Sequence, residues 1–157
     1  MGRVKAFRFP VSVEWQGGRL TKTSSRAKED LEVATPPEFP GGIPGLWNPE
    51  ELLVASVASC YAVTLAAIAE RREIPLHSLK VSGTGHVSMR DDRKFGFVAI
   101  ELDAEVKTSA ASVRAAEAAA ARAEEACLVA RALDIPVHVA VVVRPRVERP
   151  LEVLETG

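Results

Sequence analysis

The sequence predicts an α+β fold with the element order βββ-α-ββ-α-β, and three observations carry that prediction. Two stretches have helical composition, one apolar from Asn48 to about Glu73 and one Ala-rich from Thr108 to Leu133. The segments around them alternate apolar and polar residues, as half-buried strands do. The two helices lie far apart in the chain, an order that argues against a parallel βαβ sheet. With 157 residues, 47% of them hydrophobic, residues 1–157 are expected to form a single domain with its own core.

Lys5 to Gln16 is rich in β-branched and aromatic residues, and Gly17-Gly18 supplies a turn before the strand-like RLTKTSS, so a hairpin is expected. LEVATPP reads as a third strand. In the following EFPGGIPGLW, Pro40, Gly41, Gly42, Pro44 and Gly45 exclude regular structure. The first helix has clear start signals: Asn48 as N-cap, Pro49 at the first helical position, and Glu51 three residues after the cap, completing a capping box. Ile74-Pro75 follows its expected end. Leu79 to Met89 and Phe95 to Lys107 alternate as strands around the polar tip RDDRK, and VHVAVVVRP closes the fold as a last strand. Gly83-Thr-Gly85 lacks the further glycine and helix N-terminus of a phosphate-binding loop and reads as a strand irregularity.

Lys and Arg number 20 against 21 Asp and Glu, so no basic field exists to attract nucleic acid or an anionic membrane. The first residues lack the continuous apolar run of a signal peptide, and a cytoplasmic location is expected. From Leu52 to Ala69 eighteen residues carry no charge. That is the lower limit for a membrane span, but at about 1.5 Å per residue it reaches roughly 27 Å, short of a bilayer core. Burial on all sides within a fold or an oligomer is the preferred reading. In the second helix Val113, Ala116, Ala120, Ala123, Cys127 and Ala130 share one face, which turns Cys127 inward and lets another helix approach closely.

Cys60 and Cys127 carry the chemical question. Two cysteines in a reducing compartment are core residues, metal ligands or reactive thiols. Metal binding is disfavoured because His77, His86 and His138 are isolated and no CxxC or HxxxH spacing exists. A cysteine hydrolase would need His86 or His138 to reach a thiol, and each lies on an alternating strand without a nucleophile motif. Two small hydrophobes in a packed core remain the plain alternative.

The stretch NPEELLVASVASC, followed by AEEACLVARAL and the terminal IPVHVAVVV strand, resembles the OsmC/Ohr family of osmotically inducible and organic-hydroperoxide-resistance proteins, in its general OsmC-like branch. The resemblance implies a thiol peroxidase in which Cys60 attacks a small hydroperoxide and Cys127 resolves the sulfenic acid as a disulfide. It implies electrons from a dithiol, lipoyl-type or a small thiol, and no metal or flavin cofactor. Burial alone would disfavour a thiolate, so a cation beside Cys60 is expected. The family's catalytic arginine follows a Gly-Gly turn, which QGGR matches at Arg19, with Arg26 as the fallback. Glu50 falls on the family's glutamate, which orients that arginine.

Ten residues of helix separate Glu50 from Cys60 by about 15 Å along the axis, so Glu50 would serve the cysteine of a second subunit. This agrees with the family's intertwined homodimers. Leu128 stands where these peroxidases often have proline, and the EFPGGIPGLW loop also departs from the best-studied branch. Trp47, Phe95 and Phe97 are available as pocket walls. The alternative reading is a stress-associated binding module on the same fold without efficient turnover.

Overall fold

The computed structural model describes residues 5–147, so both ends of the predicted 1–157 domain lie partly outside the described residues. The chain forms two compact units, Met1–Leu53 and Val54–Gly157.

In the first unit β1 (Ser12–Gly17), β2 (Leu20–Ser24) and β3 (Leu31–Ala34) make an antiparallel sheet in that order. The strand expected from Lys5 begins only at Ser12, after Pro10, whose missing N–H cannot join a ladder. The hairpin turns at Gly17 and Gly18, with φ of 107° and 54°, values that side-chain-bearing residues seldom adopt. Val33 and Ala34 are buried, whereas Phe7, Phe9, Val11, Val13 and Trp15 form an exposed apolar row along β1 and its approach. The proline- and glycine-rich loop contains no helix or strand. It is pinned by Ile43 N–H to the Thr35 carbonyl at 3.0 Å and by a parallel bridge between Val33 and Trp47. A side chain at Gly42 would collide with the Pro36 carbonyl.

Helix α1 (Pro49–Arg71) begins where its signals place it. The Glu51 N–H donates to Asn48 Oδ1 at 2.7 Å, and Asn48 is buried. The Glu51 side chain is exposed and makes no hydrogen bond back to the Asn48 N–H among the described residues, so only half of the capping box forms. At the other end Glu73 takes a left-handed conformation, φ 55°, and the Ile74 and Glu73 N–H groups bond the Ala69 and Glu70 carbonyls. That pair of bonds is a Schellman motif, with buried Ile74 as its hydrophobic contact.

In the second unit β4 (Ser78–Met89) and β5 (Phe95–Thr108) pair antiparallel, and β6 (Val137–Pro145) pairs parallel with β5. The α+β class holds. One βαβ crossover nevertheless occurs, because helix α2 (Val113–Ala126) carries the chain back from the end of β5 to start β6 beside it. Along β5, Ile100, Leu102, Ala104, Val106 and Thr108 are buried and alternate with exposed Glu101, Asp103, Glu105 and Lys107, so one sheet face holds the core.

Gly83 and Gly85 pair regularly with Leu102 and Ile100 on that inner face, and the strand irregularity falls later, at His86/Val87. Their role is room. A Cβ at Gly83 would lie 2.8 Å from Val54, and one at Gly85 2.7 Å from Val54 and 2.6 Å from Phe97, so these glycines let α1 descend onto the sheet.

One expectation about the helices needs correction and another is met only in part. The second helix does not run to Leu133: it stops at Ala126, Cys127 has extended backbone (φ −61°, ψ 105°), and a 3-10 turn follows at Ala130–Ala132. No glycine or proline marks that break. It coincides with Cys127 being drawn into the core, its Sγ 3.9 Å from the Val57 carbonyl of α1. Of the two settings expected for α1, a fold or an oligomer, the single chain by itself does not bury the helix on all sides. Val57, Tyr61, Leu65, Ile68 and Ala69 form a single buried stripe, while Ser56, Ser59, Val63 and Ala66 are exposed. By length and composition α1 could cross a bilayer, yet this stripe packs into the protein's own core.

Candidate active site

The fold brings Cys60 and Cys127 together and gives them opposite acidities. Cys60 sits in the middle of α1, partly exposed, one residue before buried Tyr61. Cys127 is buried just past the end of α2, whose inward face of Ala116, Ala119, Ala120 and Ala123 presents only methyl groups. Those small side chains let α1 lie close enough for the Tyr61 hydroxyl to donate to the Ala120 carbonyl at 3.4 Å.

Partial burial pushes the Cys60 thiol up, but four donors outweigh it: the Val129 N–H, the Cys127 thiol, the Leu128 N–H and the Thr64 hydroxyl. The net result is a pKa below the ordinary thiol value, favouring thiolate. These donors follow from local structure. Thr64 lies one helical turn beyond Cys60 on the same face of α1. The break at Cys127 takes the N–H groups of Leu128 and Val129 out of the helical ladder, and they turn to the sulfur instead.

Cys127 shifts the other way. Burial is the first cause and the neighbouring Cys60 sulfur adds to it, against partial relief from the Ala130 and Val129 N–H groups. Cys127 therefore keeps its proton. Its one S–H can go to the Val57 carbonyl, at the limit of a sulfur hydrogen bond, or to Cys60; a thiolate there is the stronger acceptor. Tyr61 is pushed up to about 12, by burial first and then by Glu124 and Cys127, and stays a neutral phenol.

The cavity beside Cys127 is small, about 30 Å³, and is lined mainly by Tyr61, Leu102, Cys127, Val137 and Val139, without Cys60. It has room for about one water-sized guest, while Cys60 itself is partly exposed. A wider cavity of about 670 Å³ lies at the β4–β5 tip, bordered by Met89, Asp92, Phe97 and Asp134. Phe97 thus lines a cavity away from the thiols. Phe95 is 68% exposed and Trp47, in the other unit, 48% exposed.

Arg19 and Glu50 belong to the N-terminal unit and form no ion pair with each other among the described residues. Arg19 stands at the foot of the β1–β2 hairpin. Its backbone carbonyl accepts from Thr35 N–H at 3.2 Å, and a Cβ at Gly41 would lie 3.1 Å from its Cγ, so the glycine loop supports its stem. Arg26 lies in the exposed turn after β2. Glu50, in the first turn of α1, has a buried Oε2 with no hydrogen-bond partner among the described residues.

The hydrolase alternative loses its base. His86 bonds Glu101 at 3.0 Å and His138 pairs in register with Glu101, so both histidines occupy the outer face of the sheet, opposite the helices. Among the described residues no group of three or more His, Cys, Asp or Glu could hold a metal ion. Sequence reading missed Thr64, Tyr61 and the Leu128 and Val129 N–H groups. Thr64 was visible as the i+4 neighbour of Cys60, whereas the two amides depend on a helix break without a sequence signal.

An OsmC-like protein family model matches residues 42–142. The uncharacterized protein YmaD of Bacillus subtilis (strain 168) is 30% identical over 82 residues, 52% of this chain and 54% of YmaD, so the match spans about half the length of that relative. Among solved structures, an OsmC-like protein of unknown function from Vibrio cholerae shares the fold at a TM-score of 0.79, with 18% identity, over 87% of this chain and 100% of that one. An organic hydroperoxide resistance protein OsmC from Legionella pneumophila does so at 0.70, with 23% identity, over 89% and 98%. The family match includes both cysteines and all of α1, and on it the chain belongs to the OsmC-like protein family.

Proposed function

We propose that the protein is a cysteine-based peroxidase that reduces organic hydroperoxides at the expense of a dithiol. The observation that carries this reading is the pairing of a thiolate-favouring Cys60 with a protonated, buried Cys127. The Cys60 thiolate attacks the terminal oxygen of ROOH; the S–O bond forms, the O–O bond breaks, and the alkoxide leaves as ROH after taking a proton. Cys60 is then a sulfenic acid. The Cys127 sulfur attacks it, an S–S bond forms and water departs. A dithiol reduces that disulfide and becomes a disulfide itself, returning both thiols.

Arg19 and Glu50 fit this scheme as a positioning pair. A guanidinium at the departing oxygen would stabilise developing negative charge, and a carboxylate would hold it there by a bidentate bond. Glu50 has a buried oxygen without a partner, and an unpaired buried acceptor is unfavourable by about 1–3 kcal/mol, so a missing donor is called for. The reading supplies it from a second copy of the chain. The apolar row on β1 and the open face of α1 support such a homodimer, since exposed apolar surface of this kind marks an interface. A cytoplasmic setting would keep the thiols reduced between turnovers.

The test is turnover of cumene hydroperoxide by the purified protein with a dithiol reductant. Steady consumption, with a Cys60–Cys127 disulfide trapped in peroxide-treated protein, is expected. Absence of both would leave a binding module.

A further inference from the structure

A second cavity in the Val54–Gly157 unit has a composition the thiol chemistry does not use. The last turn of α1, the C-terminal half of α2 and the Ala130–Ala132 turn meet around a space of about 520 Å³, with Ile68 on its wall. Four arginines line it, Arg71, Arg72, Arg122 and Arg131, with Glu125 as the single acidic residue. In a chain with 20 Lys and Arg against 21 Asp and Glu, four cations to one anion around one cavity is a sharp local departure.

None of the four arginines takes part in an ion pair among the described residues. Helix-end electrostatics accounts for only part of the cluster. Arg71 lies in the last turn of α1, but the carbonyls of Ala69 and Glu70 there already accept the Schellman bonds. The last turn of α2 carries no basic residue, so Arg122 is not a helix-end cation. The residue type is also selective. All four are arginines, whose planar forks match phosphate and carboxylate oxygens two at a time, where lysine offers only a point charge. The volume lies within the usual range for small-molecule sites.

We infer that this cavity binds a small molecule carrying at least two anionic oxygen groups, a phosphate ester or a polycarboxylate. The lining arginines come from the end of α1 (Arg71), the turn just after it (Arg72), α2 (Arg122) and the Ala130–Ala132 turn (Arg131), so one ligand would touch several elements at once. The inference is independent of peroxide turnover, because no lining residue belongs to the thiol pair or its donors.

Isothermal titration of the whole protein with inorganic pyrophosphate and with citrate, at constant ionic strength and with acetate as the single-charge control, tests it. Saturable binding at one per chain is expected for at least one multivalent anion and not for acetate. Tighter pyrophosphate binding assigns a phosphate ester, and tighter citrate binding a polycarboxylate. Arg72→Gln combined with Arg131→Gln should weaken that binding about tenfold or more, since two charge-assisted contacts are lost. Arg114→Gln, at the start of α2 and outside the cavity, should leave it unchanged. No saturable binding of either anion to the wild-type protein overturns the inference, as does equal affinity in the wild type and the double variant.

Discussion

The middle of α1 and the turn that follows α2 each hold one cysteine, and the two regions treat the same side chain in opposite ways. On α1 the sulfur is partly exposed and receives hydrogen bonds from Thr64, from Cys127 and from two backbone N–H groups. After α2 the sulfur is buried and faces another sulfur. Burial raises both, so burial does not distinguish them; the number of donors aimed at each sulfur does. Two cysteines of one chain can thus differ in acidity according to where the unused N–H groups lie.

The largest break in that contrast is removal of the proposed nucleophile. Cys60→Ser should lower hydroperoxide turnover by about a thousandfold or more, because a hydroxyl has no comparable anionic form near neutrality. Stopped-flow peroxide consumption measures it, and activity equal to wild type would assign the nucleophile to Cys127. Cys127→Ser should differ in kind. The first peroxide is consumed at close to the wild-type rate, after which Cys60 stays a sulfenic acid and oxidises further to sulfinic acid. Intact-protein mass spectrometry should show additions of one and then two oxygens at Cys60, where the wild type shows loss of two hydrogens. Unchanged steady turnover in this variant would remove Cys127 from the cycle.

Much of this contrast could be read from the chain before folding. Asn48, Pro49 and the apolar run gave the start of α1, and the spacing of Ala116, Ala120, Ala123 and Cys127 turned the second thiol inward, as observed. The residues did not reveal that Cys127 stands outside the helix. Helix propensity is high from Ala115 to Ala132, and the break comes from tertiary packing, which local composition does not encode. The glycines of β4 were legible as unusual but not as clearance for Val54, because close approach is a property of two segments far apart in sequence. The expectation of a cation for the thiolate came from a correct premise, that burial disfavours charge. Hydrogen-bond donors meet the same need without a formal charge.

A finer test removes one donor and keeps shape. Thr64→Val replaces a hydroxyl by a methyl of nearly equal size, so the Cys60 thiolate loses one hydrogen bond while α1 keeps its packing. The Cys60 pKa should move up, toward the ordinary thiol value. The thiolate absorbance followed against pH should shift to higher pH, and the reaction with hydroperoxide at pH 7 should slow by about fivefold, the scale of one hydrogen bond. In Cys127→Ser a serine hydroxyl can still donate to Cys60, so its titration should move less than that of Cys127→Ala. Identical titrations for Thr64→Val and wild type would mean that the backbone N–H groups hold the thiolate alone.

The smallest effect expected concerns Tyr61, which joins the two regions through its hydroxyl bond to Ala120 and its contact with the Cys127 cavity. Its folded-state pKa is pushed up to about 12, whereas an exposed tyrosine in the unfolded chain titrates near 10. Below about pH 10 both states keep the proton and Tyr61 has no effect on the pH dependence of stability. Between about 10 and 12 the unfolded chain releases the proton first, so the native state loses stability as pH rises through that window. Tyr61→Phe deletes this titration at the cost of one long hydrogen bond, about 1 kcal/mol or less at neutral pH. Urea unfolding at pH 7 should therefore show a slightly less stable variant, and at pH 11 the gap should narrow or reverse. A gap that stays constant from pH 7 to 11 would show that Tyr61 ionises alike in both states, and that the junction between α1 and α2 is open to water.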